Sequence, residues 1–321
     1  MPVSRETLWE TARGLGFMSM GITSPDHALP LPGRPVKPSA FEPRSIIVMT
    51  APTFKWEPPP PAVEGGPVIA EVVGAYVGMN AAHRMGGEWV EAVGALGVQA
   101  ERLTAVRAKT AALYAGLGVY RMNTLLYTSG RGSYQAIQVF AVSERYEPDE
   151  PLTRGNPERA DLAPGCGSCR RCALMCPTAA LDGEGGITIE KCLRFHMFSG
   201  KPAPVEYRRL MDRRLIGCEV CQLVCPMQPP TVEVRPREGW DWLRVENLLE
   251  PSRETLDALG GMIGVNYARA RRIQAQAALI AGNVCRREYL PALLRLMVVE
   301  DDAVSEHSRW AAERIRYGGN G

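Results

Sequence analysis

The sequence lacks long hydrophobic runs, a basic leader and an excess of charge of one sign. No stretch of about 18 residues is both apolar and uncharged, so we expect no membrane-spanning helix. The first residues are amphipathic and include acids, so we expect no secretory signal peptide and a cytoplasmic location. The formal net charge is +2, which is lower than is usual for a protein whose whole surface binds nucleic acid.

The composition is otherwise that of an ordinary globular protein. Hydrophobic residues make up 45% and charged residues 22% of the 321 residues, which excludes disorder along the whole chain. The length also excludes a small scaffold that needs disulfides in place of a core. At about 100–200 residues per domain, we expect two or three domains.

The cysteines are the residues of this sequence that indicate its chemistry most clearly. Eight of the nine cysteines lie between Cys166 and Cys225. The first group has the pattern C-x2-C-x2-C-x3-C-P and runs from Cys166 to Pro177. The second group begins at Cys218 and ends in C-P, and Cys192 lies upstream as a detached member.

This spacing predicts two 4Fe–4S clusters. Three thiolates separated by two residues can reach three corners of one cubane, whereas the fourth cysteine points to the other cluster. The predicted ligands are Cys166, Cys169, Cys172 and Cys225 for one cluster, and Cys192, Cys218, Cys221 and Cys176 for the other. Structural zinc and disulfides are the weaker alternatives, because zinc favours pairs of C-x2-C and disulfides need an oxidising compartment. The ninth cysteine, Cys285, is predicted to be a buried small hydrophobe.

The first 150 residues predict an α+β domain with an antiparallel sheet. The expected helix is 6–15, and the expected strands are 17–22, 45–50, 125–127 and 135–142. Residues 68–117 are expected to be mainly helical, with breaks at Gly86-Gly87 and at residues 94–97.

Two stretches predict irregular structure. Residues 51–62 contain four consecutive prolines and are expected to form a stiff surface loop, with a lid over a pocket as the alternative. Residues 147–164 are polar and contain proline, and we expect a linker there. The predicted domains are therefore 1–150, 151–240, which holds the clusters, and 241–321.

The C-terminal region is expected to be a helix-pair repeat of the kind that stacks to bury one face of each unit. The expected helices are 254–259, 268–281, 288–299 and 305–316. Their basic residues are Arg269, Arg271, Arg272, Arg286, Arg287, Arg295, Arg309, Arg314 and Arg316. These arginines form either a solvated helix face or a patch for a phosphate backbone.

Four stretches occur together in one known family. They are A-G-L-G at 115–118 with N-T-L-L at 123–126, the first cysteine group with residues 178–180, Cys192 with residues 217–226, and the C-terminal repeat with residues 281–283 and 305–310. In this combination the chain resembles the epoxyqueuosine reductases, which are cobalamin- and iron–sulfur-dependent enzymes of tRNA modification. It is more distantly similar to reductive dehalogenases.

The resemblance implies a nitroreductase-like N-terminal domain that holds cobalamin, a ferredoxin-like domain with two clusters, and a HEAT-like C-terminal repeat. One cluster would lie near the corrin, and the other would accept electrons from an external low-potential donor of the flavodoxin or ferredoxin type. The cofactor-binding positions that it implies are Ala115, Gly116, Gly118, Asn123, Thr124 and Ser133. Their glycines would allow the backbone to approach a large ring closely.

The substrate side departs from the family pattern. The family has a catalytic carboxylate in a D-S/T-x-P-like context before A-G-L-G, and that position falls on Arg102, with Glu101 beside it. Only His83 remains of a G-R-D-Y-H-like segment. Reductive removal of oxygen needs a proton source. The candidate catalytic residues are Glu101, Arg102, His83 and Tyr120, with Tyr76 and Tyr134 as further proton sources and Arg102 alternatively as an anion-binding residue.

We therefore expect an oxygen-sensitive reductase similar to epoxyqueuosine reductase, with tRNA as a partner through the basic C-terminal helices. Three alternatives stay open. The chain could reduce another small molecule on the same scaffold, it could be an electron-transfer protein that serves a corrinoid partner, or it could be a tRNA-binding module with purely structural clusters.

Overall fold

The computed structural model describes residues 3–35, 37–57, 65–152, 165–197, 199–237 and 240–318. The four prolines of the predicted loop or lid and most of the predicted linker lie outside the described residues. Within those ranges, no helix has both the length and the apolar character needed to cross a membrane.

The chain alternates short strands with helices in its first part and is helical in its last part. The strands are β1 (Ser19–Thr23), β2 (Ser45–Pro52), β3 (Lys55–Trp56), β4 (Glu71–Val72), β5 (Ala100–Arg102), β6 (Val119–Tyr120), β7 (Leu126–Tyr127), β8 (Gln135–Val142), β9 (Arg214–Ile216) and β10 (Val234–Arg235). The helices are α1 (Arg5–Gly14), α2 (Gly74–Ala95), α3 (Ala108–Tyr114), α4 (Arg171–Leu174), α5 (Leu193–Met197), α6 (Val205–Arg208), α7 (Val220–Leu223), α8 (Val245–Leu249), α9 (Arg253–Ile263), α10 (Ala270–Val284), α11 (Leu290–Leu296) and α12 (Asp302–Tyr317).

The main sheet has the strand order β1-β2-β8-β5, and its neighbouring strands are antiparallel. β2 and β8 pair along their full length, because both are rich in β-branched and aromatic residues and are buried. One face of the sheet packs on α1 and α2 around Trp89 and Phe140, and the other packs on α3. The predicted α+β class and antiparallel sheet are confirmed.

The prediction for residues 68–117 was wrong in two places. α2 continues through Gly86-Gly87 without a break, because Gly86 lies against the Phe140 ring. A Cβ at Gly86 would lie 2.9 Å from Phe140 Cζ, so glycine lets the helix pack closely on the sheet. Residues 100–102 form the edge strand β5 and not helix, because pairing with β8 overrides their local preference.

The predicted C-terminal helices are confirmed as α9 to α12. α10 and α12 approach closely at Gly282, where a Cβ would lie 2.5 Å from Trp310. Cys285 is only half-buried and ends α10 in the left-handed conformation, with its thiol donating to Gly282 O at 3.0 Å, so the prediction of full burial was wrong.

One hydrophobic core includes residues from all three predicted domains. It contains Val72 and Tyr76 from the first, Leu215 and Ile216 from the second, and the inner faces of the C-terminal helices. β4 pairs with β9 in parallel at the same place. The cysteine-rich segment is thereby fixed between the sheet and the C-terminal helices.

Candidate iron–sulfur centre and adjoining polar site

The first predicted ligand set surrounds one cavity. Cys166, Cys169, Cys172 and Cys225 line it together with residues 121–123 of the N-terminal region. Three of these cysteines lie in the loop before α4 or within α4, and Cys225 follows α7. The contact between α4 and α7 therefore brings sulfur atoms together that are far apart in sequence. The side chain of Arg121 borders the cavity with Nη1 3.8 Å from Cys166 Sγ.

The second set gathers around Cys221. Burial raises the pKa of Cys221 to about 12, and the nearby sulfurs of Cys218, Cys192, Cys172 and Cys176 raise it further, so Cys221 lies near a thiol of the first set as well. Burial also raises the pKa of Cys218. A metal centre that binds here would hold these thiols as thiolates, because a nearby metal cation favours the deprotonated form.

Cys176 differs from these buried thiols. Burial opposes its ionisation, but hydrogen bonds from backbone N–H groups outweigh that effect and lower its pKa. One of them is donated by Ala180 N to Cys176 Sγ at 3.3 Å. Hydrogen bonds to cluster sulfurs are among the features that set the reduction potential.

The two sulfur groups adjoin one another. Cys166 and Cys172 of the first set pack in one apolar cluster with Met122 and Leu181, and Cys221 of the second set packs against that cluster. Clusters held at these positions would be neighbours, as electron transfer between them requires. The structure thus brings the eight predicted ligands into two adjoining groups, and their assignment as ligands stays a prediction.

Side-chain amides join the N-terminal region to the cysteine segment. Asn123, which is buried, donates to Tyr127 Oη at 2.9 Å and to Cys221 O at 3.1 Å. Ser133 O accepts from Gln222 Nε2 at 3.2 Å, and Ser133 Oγ accepts from Gln228 Nε2 at 2.6 Å. Two of the predicted cofactor-binding residues, Asn123 and Ser133, therefore lie at the contact between the N-terminal region and the cysteine segment. We call this contact, formed by Asn123, Ser133, Gln222 and Gln228, the seam.

Thr124 adopts a strained backbone conformation at the same seam. Its φ is 60°, a value that β-branched residues rarely adopt. Its carbonyl oxygen accepts a hydrogen bond from Lys109 Nζ at 2.7 Å. Burial lowers the pKa of Lys109, while the neighbouring Cys221 sulfur raises it. Such strain clusters at functional sites.

Buried polar atoms without partners lie along the seam as well. Within the part of the chain that the structure describes, these are Thr53 Oγ1, Trp56 Nε1, Tyr134 Oη, Gln135 Oε1 and Glu219 Oε2. Tyr134 and Glu219 are near each other, since the Glu219 carboxylate contributes to raising the pKa of Tyr134, after burial. Burial raises the pKa of Glu219 itself to about 7. Orphaned groups of this kind indicate a missing polar partner.

The small residues of the A-G-L-G segment lie close to other backbone of the chain, and their role in cofactor binding stays a prediction. A Cβ at Gly116 would lie 2.6 Å from Glu150 O, and one at Gly118 would lie 2.5 Å from Tyr127 O. Ala115 is buried, and its carbonyl oxygen packs against Gly21. The close approach that these small residues allow is made by the protein's own backbone.

The four predicted catalytic residues do not meet in one place. Arg102 donates to His83 Nδ1, and burial lowers the pKa of His83, with Arg102 lowering it further. Glu101 accepts from Ala40 N at 3.4 Å and points to the other side of β5. Tyr120 lies beside Thr110, with its hydroxyl 3.4 Å from Thr110 Oγ1.

Sequence reasoning missed Lys109, Gln222, Gln228 and Glu219. Glu219 and Gln222 flank Cys221, so their position between predicted ligands was a usable signal. Lys109 lies in a helix with no recognisable motif, and only the fold brings it beside Cys221.

A sequence family described as a 4Fe-4S double cluster binding domain matches residues 165–228. This segment is therefore similar to domains that bind two 4Fe–4S clusters, and it contains all eight predicted cysteine ligands. Among curated proteins, the epoxyqueuosine reductase of Pseudomonas aeruginosa is 32% identical over 215 residues, which are 64% of this chain and 56% of that protein. That of Lactococcus garvieae is 29% identical over 210 residues, 63% and 56% of the two chains.

The fold of the chain is also similar to that of solved epoxyqueuosine reductases. The solved epoxyqueuosine reductase of Bacillus subtilis superposes with a TM-score of 0.73 at 19% identity, covering 97% of this chain and 90% of the other. A solved epoxyqueuosine reductase with a tRNA-Tyr epoxyqueuosine-modified tRNA stem loop has a TM-score of 0.71 at the same identity and coverage. The predicted resemblance to the epoxyqueuosine reductases is confirmed. The chain spans about half the length of the curated relatives that it matches.

Proposed function

We propose that this chain is a cobalamin-dependent iron–sulfur reductase similar to epoxyqueuosine reductase. The observation that carries the proposal is the position of the two sulfur groups, which adjoin the seam with its strained Thr124 and its orphaned polar atoms. A redox relay beside a polar site is the arrangement that a reductase needs. The proposal includes a nitroreductase-like N-terminal region and a HEAT-like C-terminal repeat.

The donor set fits two 4Fe–4S clusters, because each group supplies four thiol sulfurs and no competing oxygen ligand is required. Clusters bound there supply one-electron transfer. The orphaned atoms of Thr53, Tyr134 and Glu219 support a polar group bound beside the sulfur groups, and we propose the corrin of cobalamin, whose amide side chains both donate and accept hydrogen bonds. When bound, cobalamin supplies a low-potential, nucleophilic metal centre that side chains lack.

The chain's own residues supply positioning and protons at this site. The Tyr134 hydroxyl lies at the seam and has no hydrogen-bond partner among the described residues. It is therefore the phenol we propose as the proton donor, in preference to His83, which lies with Arg102 at the edge strand. Asn123 and Ser133 position the seam through their hydrogen bonds.

Electrons would enter at the first sulfur group. Cys169 is exposed, and Leu174, two residues beyond Cys172, is 80% exposed. The partner would be a small low-potential carrier of the flavodoxin or ferredoxin type. A tRNA substrate is proposed from the similarity to enzymes of that name and from the basic C-terminal helices. The cytoplasmic location remains a prediction from the sequence.

A second candidate function is electron transfer to a separate corrinoid protein. The packing of the A-G-L-G segment against the chain's own backbone favours it, since those residues then have a structural reason to be small. Reduction of another small molecule on the same scaffold is consistent with the departures at Glu101 and Arg102.

Anaerobic reconstitution with iron, sulfide and cobalamin tests the proposal, followed by measurement of iron and cobalt per chain. The reductase proposal predicts about eight iron atoms and about one cobalt atom. About eight iron atoms without cobalt would contradict it and support the electron carrier. Fewer than about four iron atoms would contradict both.

A further inference from the structure

A second cavity lies away from the sulfur groups and the seam. Its volume is about 310 Å³, a size that suits one small ligand or one phosphorylated residue of a polymer. It lies between the segment that follows α5, the beginning of α10 and the first turns of α12. The charged and titratable residues that line it are His196, Lys201, Arg269, Arg271, Arg272, Asp301 and His307.

The cations of this cavity differ from other arginines of the chain. Arg295 pairs with Glu250, Arg253 with Asp257 and Arg244 with Asp241. Across the described ranges, no ion pair involves Lys201, Arg269, Arg271 or Arg272. Their positive charge is therefore not offset by a carboxylate partner.

The three arginines contact only neutral groups. Arg269 donates to Asn266 Oδ1 at 3.1 Å, Arg271 to Gln274 Oε1 at 3.1 Å and Arg272 to Asn266 O at 2.8 Å. These bonds orient the guanidinium groups and leave most of their N–H donors for another acceptor, since each guanidinium has five.

Backbone N–H groups at the beginning of α10 add to the positive potential of the cavity. α10 begins at Ala270, and its N-cap Arg269 provides no side-chain hydrogen bond to the first turn. N–H groups at the start of a helix attract anions. No acid occupies the first turn of α10, where one would normally be favoured.

The three remaining titratable groups are held in fixed roles. His196 lies with its Nε2 2.6 Å from Glu190 O. Asp301 is the one acid among the lining residues, and its carboxylate accepts from Val304 N at 3.0 Å as the N-cap of α12. His307 is buried between Ala203 N, which donates to its Nε2, and Ala275 O, which accepts from its Nδ1. The wall is thus rigid and keeps a net positive charge.

We infer that this cavity binds a phosphate group. The phosphate group could belong to either of two ligands, a phosphodiester of an RNA backbone or a phosphorylated small molecule. The RNA source rests on the proposed function and would place a tRNA phosphate beside α5, the helix that follows Cys192. The small-molecule source is independent of it.

The test uses the full chain with its clusters and two probes, inorganic phosphate and an RNA stem loop, titrated in phosphate-free buffer. The variant is Arg271→Gln with Arg272→Gln. The matched control is Arg13→Gln with Arg34→Gln, which removes the same charge from exposed positions away from the cavity and outside the basic C-terminal helices. A third variant, Arg271→Lys with Arg272→Lys, keeps the charge if the glutamine variant folds poorly.

We expect the cavity variant to weaken binding of inorganic phosphate at least tenfold and the control to change it less than twofold. An equally selective loss of RNA binding identifies the backbone source, whereas unchanged RNA binding identifies the small-molecule source. The lysine variant should retain most of the binding. Equal losses in the cavity variant and the control, or no binding of either probe by the wild type, would overturn the inference. No arm depends on reductase activity, so failure of the proposed function would be seen separately.

Discussion

The two sulfur groups differ in how evenly their thiols are exposed, because Cys166 and Cys172 of the first group are buried beside the exposed Cys169, whereas the four thiols of the second are all half-buried. The first includes the exposed Cys169 and is flanked by exposed side chains such as Arg170, Leu174 and Met175. In the second group, Tyr76 lies near Cys192 and Lys109 lies near Cys221, and burial raises the pKa of the Cys221 thiol. From this difference we propose that electrons enter at the group with the exposed Cys169 and pass toward the seam.

The largest expected effect comes from removing a ligand of the second group. Cys221→Ala should lose about half of the bound iron, because three remaining sulfurs hold a cubane poorly. Iron and acid-labile sulfide measured after anaerobic reconstitution provide the readout. Cys285→Ala is the matched control, since Cys285 ends α10 and lies outside both groups. Equal iron in the wild type and in Cys221→Ala would refute the ligand assignment.

A smaller effect is expected on the reduction potential when a charge beside the second sulfur group is removed. Lys109 lies beside Cys221, and an anionic cluster there would favour its charged form. Lys109→Gln should therefore lower the reduction potential of one cluster by about 30–60 mV, roughly a three- to tenfold change in a one-electron equilibrium. Potentiometric titration followed by electron paramagnetic resonance measures it.

Arg170→Gln serves as the control for that measurement. Arg170 is exposed and within 3.9 Å of the Glu184 carboxylate, so solvent and its partner screen its charge. Its removal should change either potential much less than Lys109→Gln does. A larger change in reduction potential from Arg170→Gln than from Lys109→Gln would contradict the placement of Lys109 beside a cluster.

The same contrast explains what the sequence could predict. The grouping of Cys166, Cys169 and Cys172 depends on short spacings along one loop, and local geometry brings their sulfurs to one cavity. The C-terminal helices follow from periodic apolar residues, which is also local information. The double-cluster segment and the C-terminal helices could therefore be predicted from the sequence alone.

The seam could not be predicted from the sequence, because it joins residues that are distant in sequence. Ser133 and Gln228 are 95 residues apart, and their hydrogen bond exists only once the sheet and α7 are in place. The glycines of A-G-L-G illustrate a different limit. Small residues serve close packing of any kind, and at Gly116 and Gly118 the packing partner is the protein's own backbone.

Spectroscopy of the reduced protein tests the central claim most directly. After anaerobic reconstitution and chemical reduction, electron paramagnetic resonance should show two interacting 4Fe–4S clusters, accompanied by about eight iron and eight sulfide per chain. A single isolated cluster, or zinc in place of iron at the cysteines, would contradict the account.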